Sequence, residues 1–273
     1  MIHIKDISYR YPDNTLAIDS LSLNINKGEF VAIAGKNGCG KSTLLRHMNG
    51  LLLPCQGSVV VNGMDTSDPS SLMDIRRTAG MVFQDPGSQF IGMTVEEDVA
   101  FGPENLGLSQ REINERVDLS LQNVGMEGYR YHTPRSLSGG QKQKVALASV
   151  LAMKPDIILF DEVTSMLDPC SRKDILSLIE NLHENGTTVV YVTHHLEELV
   201  HADRLVVMEN GRIVHDGHPR EILSRNDPEQ FGSDLPPVIE LARRLADSGL
   251  IPADPSSFPL SRAELREVLC RSK

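Results

Sequence analysis

Three unbroken apolar runs organise the chain: Phe30-Val31-Ala32-Ile33-Ala34, Ile157-Ile158-Leu159-Phe160 and Val189-Val190-Tyr191-Val192. Runs of this length without polar alternation suit parallel strands buried on both faces. Between the last two, Ile175, Leu178, Ile179 and Leu182 fall at i, i+3, i+4 and i+7, one face of a helix. Strands alternating with helices predict an α/β sheet with helices on both sides. Two regions read as antiparallel instead. Asn210-Gly211 joins RLVVMEN to GRIVHDG, which predicts a hairpin with a type I′ turn. Residues 2–33 and 57–62 also read as strands joined by turns.

From about Thr94 to Arg135 the pattern becomes helical. Thr94-x-x-Glu97 and Ser109-x-x-Glu112 are capping-box patterns, and Ile113, Val117, Leu121 and Val124 make one stripe. This predicts a helical insertion, at about residues 90–150, between two strands of the sheet. After residue 225 comes a Pro-rich passage. Val238, Leu241, Ala242 and Leu245 then recur at helical spacing, and Ser261-x-x-Glu264 caps a last short helix. Residues 1–225 therefore read as one large domain and residues 226–273 as a small helical C-terminal extension.

Composition narrows the class. With 273 residues and 40% hydrophobic content, the chain is long enough for a substantial core. Its net charge of −10 argues against a basic face for nucleic acid. Cys39, Cys55, Cys170 and Cys270 show no CxxC spacing, so reduced thiols in a cytoplasmic protein are expected. No apolar run approaches the ~20 residues of a membrane span. The segment MIHIKDISYR alternates like a strand and lacks a signal-peptide core. Any membrane role is expected to come through a partner.

Three motifs carry chemistry. Gly35-Lys36-Asn37-Gly38-Cys39-Gly40-Lys41-Ser42-Thr43 fits the phosphate-loop pattern G-x-x-x-x-G-K-[ST]. It follows a buried strand and precedes Leu44–Met48, a predicted helix with Gly50 placed to end it. Glycines let such a loop curl its N–H groups inward at phosphate oxygens, and the helix dipole adds positive charge there. Lys41 supplies a full charge for the β and γ phosphates, and Ser42 a hydroxyl for Mg²⁺. The second motif, Asp156-Ile157-Ile158-Leu159-Phe160-Asp161-Glu162, is a strand ending in two carboxylates. Chemistry gathers at the C-terminal ends of parallel strands. Asp161 is expected to hold Mg²⁺, and Glu162 to polarise the attacking water. The third, Leu137-Ser138-Gly139-Gly140-Gln141, is a second anion-type helix start, yet these five residues include no lysine and no carboxylate for a metal.

These motifs, with Val82-Phe83-Gln84, Ser165-Met166-Leu167-Asp168-Pro169 and Thr193-His194, stand in the order of the ABC-transporter ATPases. The resemblance covers roughly residues 1–220. It implies a RecA-like P-loop NTPase core with an antiparallel β subdomain and an α-helical subdomain. It also implies ATP and Mg²⁺ as cofactors, with Asn37, Gly38, Gly40, Lys41, Ser42 and Thr43 around the nucleotide. Domains of this family pair head to tail. The resemblance therefore implies that Ser138, Gly139, Gly140 and Gln141 face the γ-phosphate held by the partner's loop. A two-fold axis relating two such chains would complete two sites.

Gln84 resembles the family's Q-loop glutamine, which touches Mg²⁺ or the attacking water. His194 resembles the switch histidine that hydrogen-bonds the γ-phosphate, and Asp168 the aspartate that crosses the dimer interface. Tyr11 is placed like the aromatic that stacks on adenine, with Tyr9 as its rival. His195 stands where acidic residues are usual, so no role passes to it. Cys39 and Val163 replace the more usual Ser and Pro or Ala. Neither position supplies essential chemistry, although Cys39 is expected to make the site thiol-sensitive.

Asp85-Pro86-Gly87-Ser88-Gln89-Phe90 resembles the Q-loop extension of energy-coupling factor and cobalt-importer ATPases. DEVTSMLDP is similar to the first of two paralogous ATPases in vitamin transporters of that class. DLPPVIELARRL resembles their C-terminal extension, which contributes to ATPase–ATPase contact. The implied partners are a second ATPase subunit (the same chain or a paralogue), a transmembrane coupling subunit docked between sheet and helical insertion, and a small substrate-binding membrane protein. The implied location is peripheral, on the cytoplasmic face of the cell membrane, powering uptake of vitamins or transition-metal ions. ABC ATPases of another importer class remain an alternative. A nucleic-acid-acting relative would need a long coiled-coil insertion or a second ATPase domain, for which this length leaves no room. A non-hydrolysing clamp is opposed by Glu162 and His194.

Overall fold

A computed structural model describes residues 1–225, 231, 235–252 and 254–271. Two sheets meet face to face. The first, antiparallel, contains β1 (Ile2–Arg10), β2 (Leu16–Ile25), β4 (Gln56–Val61) and β5 (Met64–Asp65), in the order β2-β1-β4-β5. The second contains β3 (Phe30–Gly35), β6 (Ala79–Val82), β7 (Ile157–Asp161), β8 (Thr188–Val192), β9 (Arg204–Glu209) and β10 (Arg212–Gly217). Its order is β10-β9-β3-β8-β7-β6. The pairings β3–β8, β3–β9, β6–β7 and β7–β8 are parallel, and only β10 runs antiparallel, returning through Asn210-Gly211. Both turn residues have positive φ, 49° and 79°, as a type I′ turn requires.

The two faces of the parallel sheet feed two cores. Val31, Ile33, Ile157, Leu159, Val190 and Val192 pack with Ile2, Ile4, Leu23, Ile25, Val59 and Val61 of the antiparallel sheet. Leu44, Leu45 and Met48 of α1 (Lys41–Met48) and Ile75 of α2 (Leu72–Thr78) join them. Phe30, Ala32, Ala34, Ile158, Phe160 and Tyr191 point the other way, into helices. Helices lie on both faces as expected, but on the first face α1 and α2 share the cover with the antiparallel sheet. One face is covered largely by a second sheet, because β1, β2 and β4 carry apolar residues on one side only and must bury that side.

The helical face holds α3 (Val95–Asn105), α4 (Gln110–Val124), α5 (Gly139–Ala152) and α6 (Pro169–Glu184). α3 to α5 lie between β6 and β7 in the chain, as the insertion pattern predicts. Both predicted capping boxes form, at Thr94/Glu97 and Ser109/Glu112. Ile113, Val117, Leu121 and Val124 are all buried.

The last helices are α7 (Pro219–Arg225), α8 (Pro237–Asp247) and α9 (Arg262–Arg271). The predicted boundary at residue 226 and most of the Pro-rich passage around it lie outside the described residues. α8 forms where the spacing predicts a helix. Ile239 and Ala242 are the buried residues, whereas Leu241 is 49% exposed. α8 is apolar on two sides: Ile239 and Ala242 join the helical core, while Val238 and Leu241 line an open groove against α9. Ser261 Oγ accepts from Glu264 N at 3.2 Å, the expected cap. The Glu264 carboxylate does not close a capping box. It takes Leu260 N at 2.9 Å and the Arg220 guanidinium at 2.8 Å, tying α9 to α7.

Arg220 holds the Glu264 carboxyl below the usual range. A lowered carboxylate contributes stability that is present above its unfolded-state pKa and is lost as pH falls through the folded-state one. Glu264→Gln is therefore expected to speed amide hydrogen exchange across residues 262–271 at neutral pH. The difference from the parent should vanish under acid conditions, and exchange in α4 should not change.

Candidate functional site

The phosphate loop leaves β3 at Gly35 and enters α1 at Lys41. Two glycines are fixed by close approach of other strands. A Cβ on Gly35 (φ 145°) would lie 2.2 Å from Met208 O, and one on Gly40 (φ 104°) 2.3 Å from Ala17 O. Asn37 and Gly38 form the exposed rim of the loop. Lys41, only 5% exposed, folds back so that Nζ donates to Gly35 O at 2.8 Å and Lys36 O at 3.1 Å. Its ammonium thus sits over the concave side of the loop.

Ser42 Oγ donates to Asp161 Oδ1 at 2.7 Å, joining the loop to the end of β7. Burial pushes the Asp161 carboxyl up, against the hydrogen bond from Ser42; Glu162 adds to the rise, and Arg46 and Lys41 oppose it. Glu162 follows with φ of 49°, a left-handed conformation costly for a non-glycine residue. Its N–H donates to Val192 O at 3.0 Å. That kink turns the side chain toward the neighbouring strand end. Glu162 Oε2 lies 3.4 Å from His194 Nδ1 and accepts from Gln84 Nε2 at 3.4 Å. Gln84 also donates to Ser165 Oγ at 3.2 Å. Lys41, Ser42, Asp161, Glu162, His194 and Gln84 are therefore gathered at the C-terminal ends of β3, β6, β7 and β8.

Tyr11 OH and Thr43 Oγ1 are 2.8 Å apart, which sets the Tyr11 ring beside the start of α1. The Tyr9 ring packs edge-on against both Tyr11 and His47, with centroids at 5.1 and 4.9 Å. Of the two rival tyrosines, Tyr11 is the one bonded to the phosphate-loop helix. Cys39 is buried, and burial pushes its thiol up. Since the thiolate is the reactive form, this opposes the expected thiol sensitivity.

The third motif, the signature segment Leu137–Gln141, lies apart from this cluster. Ser138 Oγ accepts from Gln141 N at 3.3 Å and Gln141 Oε1 from Ser138 N at 2.9 Å, a capping box that opens α5. Ser138 and Gly139 are exposed. Gly140 is buried, and a Cβ there would lie 2.3 Å from Ser171 Oγ at the start of α6. Asp168 caps α6 by accepting from Cys170 N and Ser171 N at 3.0 and 3.1 Å. Its bonds to Ser171, and then to Cys170, hold its carboxyl below the usual range. Among the described residues no hydrogen bond joins Ser138, Gln141 or Asp168 to Lys41, Ser42, Asp161 or Glu162. One chain therefore presents a phosphate loop and, separately, an exposed Ser-Gly helix start.

Two features escape motif reading. One is an apolar groove of about 490 Å³ between the sheet edge and the helical insertion, where only the family resemblance implies a docking place. Met73, Met81, Phe90, Ile91, Phe101 and Met153 line it, with Ile91 68% and Phe101 43% exposed. Its walls come from four separate segments, so no local pattern marks it. The other is a buried carboxylate, Glu198, bonded to Thr164, Tyr191 and Thr193. In sequence it is one of two adjacent glutamates in a short polar stretch.

Residues 18–165 match the ABC transporter family. The chain is 53% identical over 272 residues to the energy-coupling factor transporter ATP-binding protein EcfA of Methanosarcina acetivorans, covering 99% of this chain and 98% of the relative. Among solved structures it resembles CbiO1 of Clostridium perfringens, part of the ABC transporter complex CbiONQ, with a TM-score of 0.76. Identity there is 33%, covering 90% of this chain and 94% of the other. A dimeric ATP-binding cassette bound to ADP and Pi after hydrolysis gives a TM-score of 0.73 at 33% identity, over 80% of this chain and 99% of that one. The match over residues 18–165 gives the family and the full-length likeness the branch: the chain belongs to the ABC transporter family, as an ATPase subunit of the energy-coupling factor type.

Proposed function

We propose that this chain works as half of a head-to-tail ATPase pair that powers uptake through membrane subunits. The observation that carries this reading is the convergence of Lys41, Ser42, Asp161, Glu162, His194 and Gln84, with the Ser138–Gly140 helix start exposed elsewhere on the same chain. Two chains related by a two-fold axis bring each loop to the other's signature.

The roles follow from chemistry and position. The loop N–H groups and Lys41 bind the β and γ phosphates. Ser42 Oγ and Asp161 Oδ1 fit Mg²⁺: both are hard oxygens, already 2.7 Å apart beside the loop, and this ion takes few protein ligands plus phosphate oxygens. Gln84 is the third candidate ligand. When bound, the ion would neutralise charge on the phosphate oxygens. Glu162 accepts a proton from the attacking water, and Gln84 and His194 hold its carboxylate in place. His194 also offers a hydrogen bond to the γ-phosphate, and Tyr11 its ring to adenine. Ser138, Gly139, Gly140 and Gln141 meet the γ-phosphate in the partner's site, and Asp168 lies at the same interface. Shifting an open–closed equilibrium from 1:99 to 99:1 takes about 5.5 kcal/mol of differential binding. Charge-assisted contacts from Lys41, Ser138 and His194 are of the strength required.

Among the described residues no helix is long and apolar enough to cross a membrane. The groove lined by Phe90, Ile91 and Phe101 provides the contact to a transmembrane coupling subunit. It adjoins the segment that begins at Gln84, so a docked helix can move the glutamine. The α8–α9 region contributes to contact between ATPases. The cargo, a vitamin or a transition-metal ion, is captured by a separate membrane subunit, and the chain works on the cytoplasmic face of the membrane.

The test is reconstitution. Co-expressed with its membrane subunits and placed in liposomes, the chain should support ATP-dependent uptake of such a solute. Phe101→Asp should abolish assembly and uptake while the isolated chain still hydrolyses ATP. Assembly and uptake at parental levels in that variant would remove the groove from the account.

A further inference from the structure

We propose that Glu198 is a positioning residue for ATP hydrolysis, fixing the Glu162 loop and the His194 loop relative to each other. The inference rests on the proposed roles of those two residues. Glu198 is 2% exposed, in the turn that follows β8. A carboxylate this deep loses several kcal/mol of solvation and must be compensated by close partners. Its Oε2 accepts three hydroxyls: Tyr191 at 2.6 Å, Thr193 at 2.6 Å and Thr164 at 3.0 Å. Its Oε1 is buried without a hydrogen bond, within ion-pair reach of Arg172 Nε at 3.7 Å.

The partners' places in the chain give the clamp its meaning. Thr164 is two residues beyond Glu162, on the way to Asp168. Thr193 immediately precedes His194, and its Oγ1 also accepts His195 N at 3.0 Å. Tyr191 lies on β8 itself, and Arg172 on α6, four residues past Asp168. One oxygen atom therefore ties the loop that leaves β7 and the loop that leaves β8 to each other and to Tyr191 of β8. Stability alone does not account for it, since well-packed apolar residues in place of a buried ion pair are often as stable or more so. What a charged acceptor adds is geometry, because hydrogen bonds to an ionised group are short and directional. Glu162 and His194 lie 3.4 Å apart across the gap that the clamp spans. A displacement of about 1 Å at such a pair can cost on the order of a hundred-fold in rate.

The experiment compares Glu198→Gln and Glu198→Ala with the parent, using ATP turnover, nucleotide affinity by fluorescence titration and thermal melting. Glu198→Gln keeps the shape and one acceptor oxygen. It should lower kcat on the order of ten-fold with KM and nucleotide affinity nearly unchanged, and Glu198→Ala should lower kcat further, on the order of a hundred-fold. If either variant fails to fold, Thr164→Val and Thr193→Val each remove one leg of the clamp and should reproduce the kcat loss. The decisive arm places Glu198→Gln in a His194→Ala background. A group whose role is to hold the Glu162–His194 contact adds little once His194 is gone, whereas an independent contribution multiplies the loss. Parental kcat in the folded variants, or fully multiplicative losses, overturns the proposal. Failure of the underlying reading is distinct: it would show as normal turnover in Glu162→Gln, whatever the Glu198 variants do.

Discussion

Glu162→Gln should lower steady-state ATP hydrolysis by on the order of a hundred- to ten-thousand-fold, the range for loss of a general base. ATP affinity should persist. The argument is geometric. Glu162 sits at the end of β7 with a left-handed backbone, and strain of this kind persists only where surrounding contacts enforce it. Val192 O anchors its N–H, and Gln84 and His194 meet its carboxylate. An amide fills the same volume and can keep hydrogen bonds to both, so the loop stays in place. It cannot take a proton from water. The phosphate loop, Lys41 and Ser42 are untouched, so nucleotide still binds and the closed pair accumulates. Phosphate release assays, with size-exclusion chromatography in ATP and Mg²⁺, check both halves. Turnover at the parental rate would remove Glu162 from its role.

Ser138→Arg should have an equally large effect for a different reason. Ser138 is exposed and makes no hydrogen bond to its own chain's phosphate loop among the described residues. Losing its capping hydroxyl costs about 1 kcal/mol. That is small against the ~5–15 kcal/mol stability of a native domain. Ser138→Ala carries the same capping loss and serves as the control. Arginine adds a long cation where, in the proposed pair, the partner's γ-phosphate approaches Gly139 and Gly140. Hydrolysis should fall to background in Ser138→Arg, while the single chain binds nucleotide like the parent. Parental turnover in a pair built only from Ser138→Arg would count against a shared site.

Much of this arrangement could be read from residues alone. Apolar runs at 30–34, 157–160 and 189–192 became β3, β7 and β8, because a strand buried on both faces has no room for polar alternation. The stripe Ile113–Val124 and both capping boxes sat where the spacing placed them. Gly35, Lys41, Ser42, Asp161 and Glu162 stood out because each belongs to a short motif whose chemistry is local, whereas Gln84 and His194 came only through the family resemblance. What depended on distant contacts was not legible. The strands of the antiparallel sheet were expected, but nothing in MIHIKDISYR says which face of the parallel sheet its apolar side covers. On α8, Leu241 fits the helical period as well as Ile239 does; only packing decides which is buried. The Cys39 thiol was expected to react, yet strands β2 and β9 close over its loop. Glu198 gave no signal at all, since its partners lie up to 34 residues away along the chain.

The shared site can be tested most directly with two inactive variants, Lys41→Ala and Ser138→Arg, purified separately and then mixed. A dimer holding one of each has one site defective on both sides. Its other site pairs an unaltered Lys41 with an unaltered Ser138. If ATP is enclosed between subunits, the mixture recovers ATPase activity, at about a quarter of the parental level for random pairing with independently working sites. If each chain encloses its own nucleotide, every chain in the mixture carries a defect, and activity stays at the background of the separate variants.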